Sequence, residues 1–253
     1  MGNQTILTNE NFFNQLANEY DKMISFRKAV ENKKKLFANF INQGMKYAAD
    51  LGCGSGTDSI ALASYGLIVA AFDSSDEMLN TAKSNVENEK VKVTFHNYTI
   101  DKIPDDFDNQ FEFVVSLGNT FANIPKGKFF VSLGKCYQIL KPKGTMLIQV
   151  LNYKRILAEK NRIINITEGS DKYYIRFYDF NNEEIIFNVL TFSKNNLTDS
   201  QLISTLVFPY SQIDFITAFK KLDIHSFQFY SNFELQSFDE TESKDMVIKI
   251  VKE

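Results

Sequence analysis

The stretch KYAADLGCGSGTDSIALASYGLIVAAFDSSD, from Lys46 to Asp76, runs as strand, glycine turn, helix, second strand and acid. Glycines at 52, 54 and 56 permit a tight turn and let the backbone approach a ligand. The helix that follows has free N–H groups at its start. Asp73 ends the second apolar run about 20 residues beyond the glycines, where an acid can accept both hydroxyls of a ribose. The stretch therefore predicts a pocket for an adenosine-containing cofactor.

The spacing of the glycines indicates which cofactor. A dinucleotide fingerprint requires Gly-x-Gly-x-x-Gly, whereas here the third glycine comes one position early and Thr57 occupies its place. Gly-x-Gly-x-Gly preceded by the acid Asp50 resembles motif I of the class I S-adenosylmethionine-dependent methyltransferases. The resemblance implies that the glycine loop cradles the methionine end of S-adenosylmethionine and that the acid after the second strand holds its ribose. The cofactor contacts implied in this half of the site are Asp50, Gly52, Cys53, Gly54, Asp73, Ser74 and Met78.

Composition restricts the classes of partner. A net charge of −3 and a pI of about 5.6 argue against an electrostatic nucleic-acid binder. The basic run at 33–35 is interpreted as a solvated helix face. Two cysteines give neither a disulfide framework nor a metal site. Without a signal peptide or an apolar run long enough to span a bilayer, we expect a cytoplasmic protein with no metal and no membrane partner.

The chain alternates strands and helices after two N-terminal helices within residues 9–40, an order typical of a doubly wound parallel sheet. The predicted strands lie near residues 46–51, 67–72, 91–97, 112–117 and 144–150. The predicted helices lie near residues 56–65, 75–86 and 127–140.

The pattern changes after Asn152. Residues 163–207 are strand-like, with turn signals at 181–182 and 195–196, and predict an antiparallel flap of about three strands. A helix near 210–221 and a closing antiparallel pair near 225–230 and 246–251 follow. We therefore predict an α/β fold with a doubly wound, mostly parallel seven-stranded sheet, the Rossmann-like methyltransferase fold. Residues 1–152 and 208–253 form its cofactor-binding domain, and residues 153–207 form the inserted flap over the acceptor site.

Three segments extend the resemblance. GTDSIALASYGLIVAAFDSSDEML, FEFVVSLGNTFANIP and TMLIQVLNYKRIL resemble the glycine and glycine/sarcosine N-methyltransferases. That likeness implies that Leu117, Gly118 and Asn119 lie under the transferring methyl group, at the carboxyl end of the fourth strand. It also implies that Tyr20 and Arg27 close over the methionine part, with Asn119 and Tyr20 as catalytic candidates. The alternatives are a core aromatic for Tyr20 and a solvated charge for Arg27.

The adenine contacts are expected at the end of the third strand. Thr99 and Ile100 are one candidate pair, and Asn97 with Tyr98 is the other. Ordinary loop residues are the third interpretation of this segment.

The acceptor side departs from the resembled family. Those enzymes carry an arginine at the tip of the fifth strand that grips the acceptor's carboxylate, and Leu151 occupies that position here. A buried carboxylate without a cation is costly, so Arg176 of the flap is a candidate replacement. Its alternative is an exposed strand residue. The substrate-binding candidates are Asn119, Asn152, Tyr174 and Arg176.

The resulting function is methyl transfer from S-adenosylmethionine to a small-molecule acceptor by in-line displacement. An amine nitrogen is favoured, with glycine-like or sarcosine-like amino acids among the candidates. The alternatives are an O-methyltransferase of a small metabolite and a cofactor-binding protein without turnover. The sequence Ser116–Asn119 lacks the Pro-Pro-aromatic motif of amino-group DNA methyltransferases. No catalytic base stands out, since His96 and His225 are isolated, and the sequence does not decide between monomer and homo-oligomer.

Overall fold

The computed structural model describes residues 5–181, 184–196 and 198–253, so the predicted turn residue Asn182 lies outside it. Its centre is a seven-stranded sheet with the spatial order β11-β12-β6-β5-β2-β3-β4. The five strands from β6 to β4 are parallel, whereas β12 runs antiparallel to both β6 and β11. Their bounds are β2 Tyr47–Leu51, β3 Ile68–Asp73, β4 Val93–Asn97, β5 Phe111–Ser116, β6 Leu140–Leu151, β11 Phe227–Tyr230 and β12 Asp245–Val251.

Buried apolar runs explain why the central strands form. Strands β2, β3, β5 and β6 are buried along most of their length because helices cover both faces of the sheet. Phe129, Tyr210 and Phe215 pack together on one face, and Phe37 with Phe113 packs on the other. The helices are α1 Asn9–Ile24, α2 Phe26–Phe37, α3 Thr57–Ser64, α4 Asp76–Glu89, α5 Lys126–Ile139, α6 Tyr153–Glu159 and α7 Gln212–Lys221.

The seven-stranded, mostly parallel sheet confirms the predicted fold. The fifth predicted strand begins four residues earlier than expected, at Leu140, because Lys143 adopts φ +64° and the ladder with β5 shifts register instead of breaking. The N-terminal helical region divides at Ser25, whose φ of +56° ends α1 before α2 begins.

The flap is a second sheet of five strands rather than about three. Its order is β1-β10-β9-β8-β7, and the first strand comes from the N-terminus, where Ile6 pairs in parallel with Ser204. The insertion opens with helix α6, for which the Asn152 side chain is the N-cap, so its first residues are helical and not strand. The strands are β1 Ile6–Leu7, β7 Ile163–Glu168, β8 Lys172–Asn181, β9 Glu184–Ser193 and β10 Ser200–Val207.

The described helices include none long and apolar enough to cross a bilayer. Nor do the described residues contain a group of three or more His, Cys, Asp or Glu side chains arranged to hold a metal ion.

Candidate functional site

A cavity of about 660 Å³ lies at the carboxyl ends of the parallel strands, where ligands bind in open α/β sheets. The first turns of α1 and the end of β10 complete its wall, so the N-terminus and the flap both cover the sheet edge. Among the predicted cofactor residues, those in the wall are Tyr20, Gly52, Cys53, Gly54, Asp73, Ser74, Met78, Thr99, Ile100, Leu117 and Gly118.

The glycine loop is fixed by two hydrogen bonds to the neighbouring strand. The N–H groups of Gly52 and Cys53 both donate to the Phe72 carbonyl, at 2.8 and 3.0 Å. Gly54 has a φ of +52°, and a Cβ built on it would meet nothing within 4 Å. A side chain at this position would therefore enter the cavity, and its absence leaves the backbone open to a ligand.

Asp73 presents a carboxylate to the same cavity. One of its oxygens accepts the Gly54 N–H at 2.9 Å and the other accepts the Ser75 N–H at 2.9 Å. Burial raises the pKa of Asp73, while the backbone N–H groups of Ser75, Gly54 and Ser74 oppose that rise. Because each carboxylate oxygen can accept two hydrogen bonds, the three backbone donors do not use the full capacity of the carboxylate. The side chain can still accept a hydrogen bond from a ligand hydroxyl.

Acidic side chains also gather beneath the loop. Asp50 is buried and does not line the cavity; its carboxylate accepts the Ser59 hydroxyl at 2.6 Å. Asp58 does line the cavity and forms an ion pair with Lys33 at 2.8 Å. Burial, followed by the neighbouring charge of Asp58, raises the pKa of Asp50 to about 8. Asp50 was predicted to contact the cofactor, but its side chain lies beneath the loop and outside the cavity wall.

The raised pKa of Asp50 has a consequence for stability. A carboxyl whose folded pKa exceeds its usual value keeps a proton that the unfolded chain releases, so its contribution to stability falls as the pH rises from about 4 to about 8. We expect Asp50→Asn, which keeps an acceptor for Ser59, to flatten the pH dependence of the thermal midpoint across this window. Thermal unfolding of both proteins at each pH checks this, and parallel curves would contradict it.

Lys33 and Asp58 were missed by the sequence analysis, which treated residues 33–35 as a solvated helix face. The solvated interpretation is wrong for Lys33, which lies three residues after buried Val30 and four before buried Phe37. Its side chain is 23% exposed because it reaches back to Asp58 on α3. The helical spacing of Lys33 relative to the two apolar residues was the signal that could have placed it on the inner face.

At the adenine end, Tyr98, Thr99 and Ile100 line the cavity. Asn97 does not line it, because its amide donates to Asp76 at 2.8 Å and to the Ser74 carbonyl at 3.3 Å. Both members of the candidate pair Thr99 and Ile100 therefore lie in the cavity wall. Of the alternative pair, Asn97 and Tyr98, only Tyr98 does.

Two orphaned hydroxyls provide a test of whether a polar ligand fits. Ser55 Oγ and Ser132 Oγ are buried, have no hydrogen-bond partner among the described residues, and belong to side chains that line the cavity. Buried polar groups are normally hydrogen-bonded. Together with the Asp73 carboxylate and the open face of Gly54, these hydroxyls fit a ligand rich in hydroxyl, amine and carboxylate groups.

Several predicted site residues lie away from the cavity wall. Arg27 is exposed on α2. Asn152 is buried, and its amide donates to the carbonyls of Glu240 and Ser243 while its oxygen caps α6. The polar groups of the Asn152 side chain are therefore used in hydrogen bonds within the fold, and Arg27 is exposed to solvent.

Asn119 holds strand ends together beside the cavity. It has a φ of +68°, and its amide donates to the Tyr153 hydroxyl at 2.8 Å while its oxygen accepts the Leu151 N–H at 2.9 Å. Tyr153 is in turn hydrogen-bonded to Tyr178 of the flap. This chain of three side chains links the end of β5 to β8.

Tyr174 joins the flap to α1 instead of facing the cavity. Its hydroxyl donates to Glu19 Oε2 at 2.5 Å, and Lys172 forms an ion pair with the other oxygen of Glu19 at 3.0 Å. The Tyr174 ring is fully buried. Tyr174 was predicted to contact the substrate, but its hydroxyl instead holds the flap against α1, the helix that carries Tyr20, through the hydrogen bond to Glu19.

We expect Tyr174→Phe to lower the free energy of unfolding by about 1–3 kcal/mol, since Glu19 loses a buried hydroxyl donor. Thermal or urea unfolding measures the change. Tyr173→Phe is the matched control, because its ring lies on the other face of β8 against Phe192. Equal effects of the two substitutions would show that Glu19 does not tie the flap.

Neither histidine of the sequence lines the cavity. His96 stacks on Phe72 and meets Phe107 edge to face, and His225 pairs with Asp223 on the surface. Burial lowers the pKa of His96. The described part of the cavity wall therefore contains no imidazole to act as a base.

Comparison with known proteins identifies related sequences. Residues 48–144 match the family model of a methyltransferase domain. The glycine N-methyltransferase of Homo sapiens is 28% identical over 145 residues, 52% of this chain and 49% of the human protein. The glycine/sarcosine N-methyltransferase of Parasynechococcus marenigrum (strain WH8102) is 25% identical over 150 residues, 58% of this chain and 53% of that protein. The chain thus spans about half the length of the curated relatives it matches.

The chain is also similar to an O-methyltransferase and to solved methyltransferase structures. The ubiquinone biosynthesis O-methyltransferase of Coxiella burnetii (strain Dugway 5J108-111) is 25% identical over 107 residues, 42% of this chain and 44% of that protein. A solved S-adenosylmethionine-dependent methyltransferase from Clostridium acetobutylicum ATCC 824 superposes with a TM-score of 0.75 at 14% identity, over 95% of this chain and 98% of its own. The chain therefore has the Rossmann-like methyltransferase fold, and the predicted resemblance is confirmed.

Proposed function

Since the chain has the methyltransferase fold and resembles the class I S-adenosylmethionine-dependent enzymes, we propose that it transfers a methyl group from S-adenosylmethionine to a small-molecule acceptor. The observation that carries the proposal is the pairing of Asp73 with the glycine loop in one cavity. Asp73 keeps hydrogen-bond acceptor capacity at the tip of β3, where a ribose is held in sheets of this kind.

The residues of the wall divide the work of binding. Asp73 accepts the ribose hydroxyls, and Tyr98, Thr99 and Ile100 surround the adenine. The open backbone at Gly54 and Gly118 accommodates the methionine part, with Gly52, Cys53, Ser74, Met78 and Leu117 closing around it. Lys33 takes the role that the resemblance gave to Arg27, because Lys33 lines the cavity, with its ammonium group paired with Asp58, and Arg27 does not line it.

S-Adenosylmethionine supplies an electrophilic methyl group on a sulfonium, and the acceptor's lone pair forms the new bond as the carbon–sulfur bond breaks onto sulfur. The chain's contribution is to hold the two reactants in line, which can supply about 7–11 kcal/mol of the barrier reduction. Tyr20 forms part of the cavity wall, while Asn119 holds the strand ends beside it. A neutral amine needs no general base, in agreement with a wall that lacks an imidazole.

Nitrogen is the proposed acceptor atom. The similarity to glycine N-methyltransferase supports it, and the similarity to a ubiquinone biosynthesis O-methyltransferase keeps oxygen as the second candidate. A hydroxyl acceptor would require a general base, and the described wall has carboxylates but no imidazole for that role. We further propose that residues 153–207, with the N-terminal strand, act as one cover over the acceptor.

The proposal is tested with the full chain. Titration calorimetry is expected to show binding of S-adenosylmethionine and S-adenosylhomocysteine, and a tritiated-methyl screen is expected to show transfer to small amines in preference to phenols. Transfer to phenols alone would favour oxygen. Binding without transfer to any acceptor would favour a cofactor-binding protein, and the absence of binding would contradict the proposal.

A further inference from the structure

The flap sheet has one face that packs against helices and one face without such cover. Side chains alternate along a strand, so Tyr174 and Tyr178 share the inner face of β8, whereas Tyr173 and Ile175 share the outer face. The apolar clusters that join the flap to α1 and α6 contain inner-face residues. Among the described residues, no apolar cluster joins the outer face to a helix.

A row of cross-strand pairs crosses the outer face, and every member of it is apolar. Ile166 of β7 pairs with Ile175 of β8. Leu190 of β9 pairs with Ile175 on one side and with Leu202 of β10 on the other. Ile166 is 60% exposed and Leu202 is 48% exposed. A contiguous apolar surface of this kind on a folded chain indicates an interaction site.

The outer face is large enough for a specific protein–protein interface. The Tyr173 and Phe192 rings, 5.4 Å apart, extend the apolar surface on one side of the row, and Phe177 extends it on the other. With about 4.8 Å between strands and about 3.3 Å per residue, strands β7 to β10 span about 500–600 Å². Two such faces bury roughly 1,000–1,200 Å² in total, which reaches the lower end of the range for specific interfaces.

Charged side chains are confined to the two ends of the outer face. Arg162 pairs with Asp179 at one end, and Lys194 pairs with Glu168 at 2.6 Å at the other. Between these pairs, the outward positions of the described strands carry no Asp, Glu, Lys or Arg. An uncharged centre with a polar rim is typical of an interface. Because the charges at each end are paired, the rim does not repel a second copy of the chain.

The width of the outer face indicates what covers it. A helix with its side chains is about 10–12 Å wide, so a single helix would cover little more than half of the four strands. A second sheet of the same size would cover all of them at a spacing of about 10 Å. In the part of the chain that the structure describes, the other sheet has helices on both faces. The matching sheet is therefore the flap of a second copy.

We propose that the outer face of the flap is the interface of a homodimer, in which two flap sheets pack face to face around a two-fold axis. Each copy then covers the apolar row of the other. Leu7 lies in the inner cluster, so its neighbour Ile6 stands on the outer face, and Ile6 also lines the cavity. The interface therefore reaches the edge of the cavity, and it does not depend on the proposed methyl transfer.

The test measures the mass of the full chain by analytical ultracentrifugation across a dilution series. The wild-type chain is expected to reach twice its 29.1 kDa at the concentrated end. Ile166→Glu and Leu202→Glu each place two carboxylates in the interface, one from each copy. Each is expected to raise the dissociation constant of the dimer at least about 30-fold, the effect of losing a central contact residue. Circular dichroism checks that both variants are folded.

Ile213→Glu is the matched control, because Ile213 is 62% exposed but lies in the first turn of α7, outside the flap. Its dimer is expected to be as stable as that of the wild-type chain. Hydroxyl-radical footprinting of the wild-type chain gives a second readout that needs no variant. Ile166 and Leu202 are expected to be oxidised less at the concentrated end than after dilution, and Ile213 equally at both.

Three outcomes would overturn the inference. The first is a wild-type chain that keeps the mass of one copy at every concentration. The second is a dimer that survives both Ile166→Glu and Leu202→Glu, which would place the interface elsewhere. The third is a footprint at Ile166 and Leu202 that does not change on dilution of the dimer.

Discussion

Replacing Asp73 with alanine is expected to weaken S-adenosylmethionine binding by about 2–4 kcal/mol, because two hydroxyl hydrogen bonds to a charged group are lost. The same carboxylate also accepts the N–H groups of Gly54 and Ser75, so its removal loosens the loop that borders the ligand. Titration calorimetry with S-adenosylmethionine and with S-adenosylhomocysteine measures the change. Both ligands contain the ribose, so both affinities are expected to fall together.

Glu77→Ala is the matched control for Asp73→Ala. It removes the same charge four residues further along, from an exposed position in the first turn of α4. Its affinity for the cofactor is expected to match that of the unmodified chain. Unchanged affinity in Asp73→Ala would show that Asp73 does not bind the ribose. An equal loss in both variants would show that the effect comes from the change in the protein's net charge.

Replacing Gly52 with alanine is expected to destabilise the fold by about 2–5 kcal/mol, the sum of a left-handed backbone penalty and overpacking. Gly52 has a φ of +76°, and a Cβ there would lie 2.3 Å from Thr120 Cγ2 and 2.6 Å from Thr120 Oγ1. Thr120 cannot simply turn away, since its hydroxyl donates to the Leu117 carbonyl at 2.8 Å. Thermal and urea unfolding measure the loss.

Two further variants separate the two penalties at Gly52. Gly66→Ala has a similar φ of +83° but open space around the added Cβ, so it reports the backbone penalty of about 1–2 kcal/mol alone. Gly52→Ala combined with Thr120→Ala removes the two closest atoms, and it is expected to recover the overpacking part. No difference between Gly52→Ala and Gly66→Ala would show that the contact with Thr120 is not rigid.

The sheet could be predicted because its signals are local and repeated. Predicted strands of six or seven residues alternate with helical spacing from residue 46 to residue 150, and each overlaps a strand of the sheet. The two-residue strand Ile6–Leu7 carries no such period. It forms only because β10 offers a partner nearly 200 residues away, so no pattern within the N-terminus could indicate it.

The cofactor side could likewise be predicted in large part. Gly52, Gly54 and Asp73 lie within one short unit whose geometry follows from a strand, a turn and a helix, and all three line the cavity. The prediction of a solvated face was wrong for Lys33 on the inner face of α2, because a lysine among apolar positions is solvated in most helices. Lys33 is drawn inward by Asp58, a partner on another helix.

By itself, the sequence determined the class of the fold, the position of the glycine loop and the acid opposite it, because each depends on residues close together in the chain. Only the tertiary structure showed how the flap is held against the rest of the chain. Tyr174 and Glu19 are 155 residues apart, and the hydrogen bond between them connects the flap to α1. Arg176 is half-buried on β8, its Nε–H donates to Asn165 Oδ1 at 2.7 Å, and it is not among the residues that line the cavity. Burial and pairing are properties of the packed chain, so local patterns predict the GCGSG loop but not the partners of the flap's side chains.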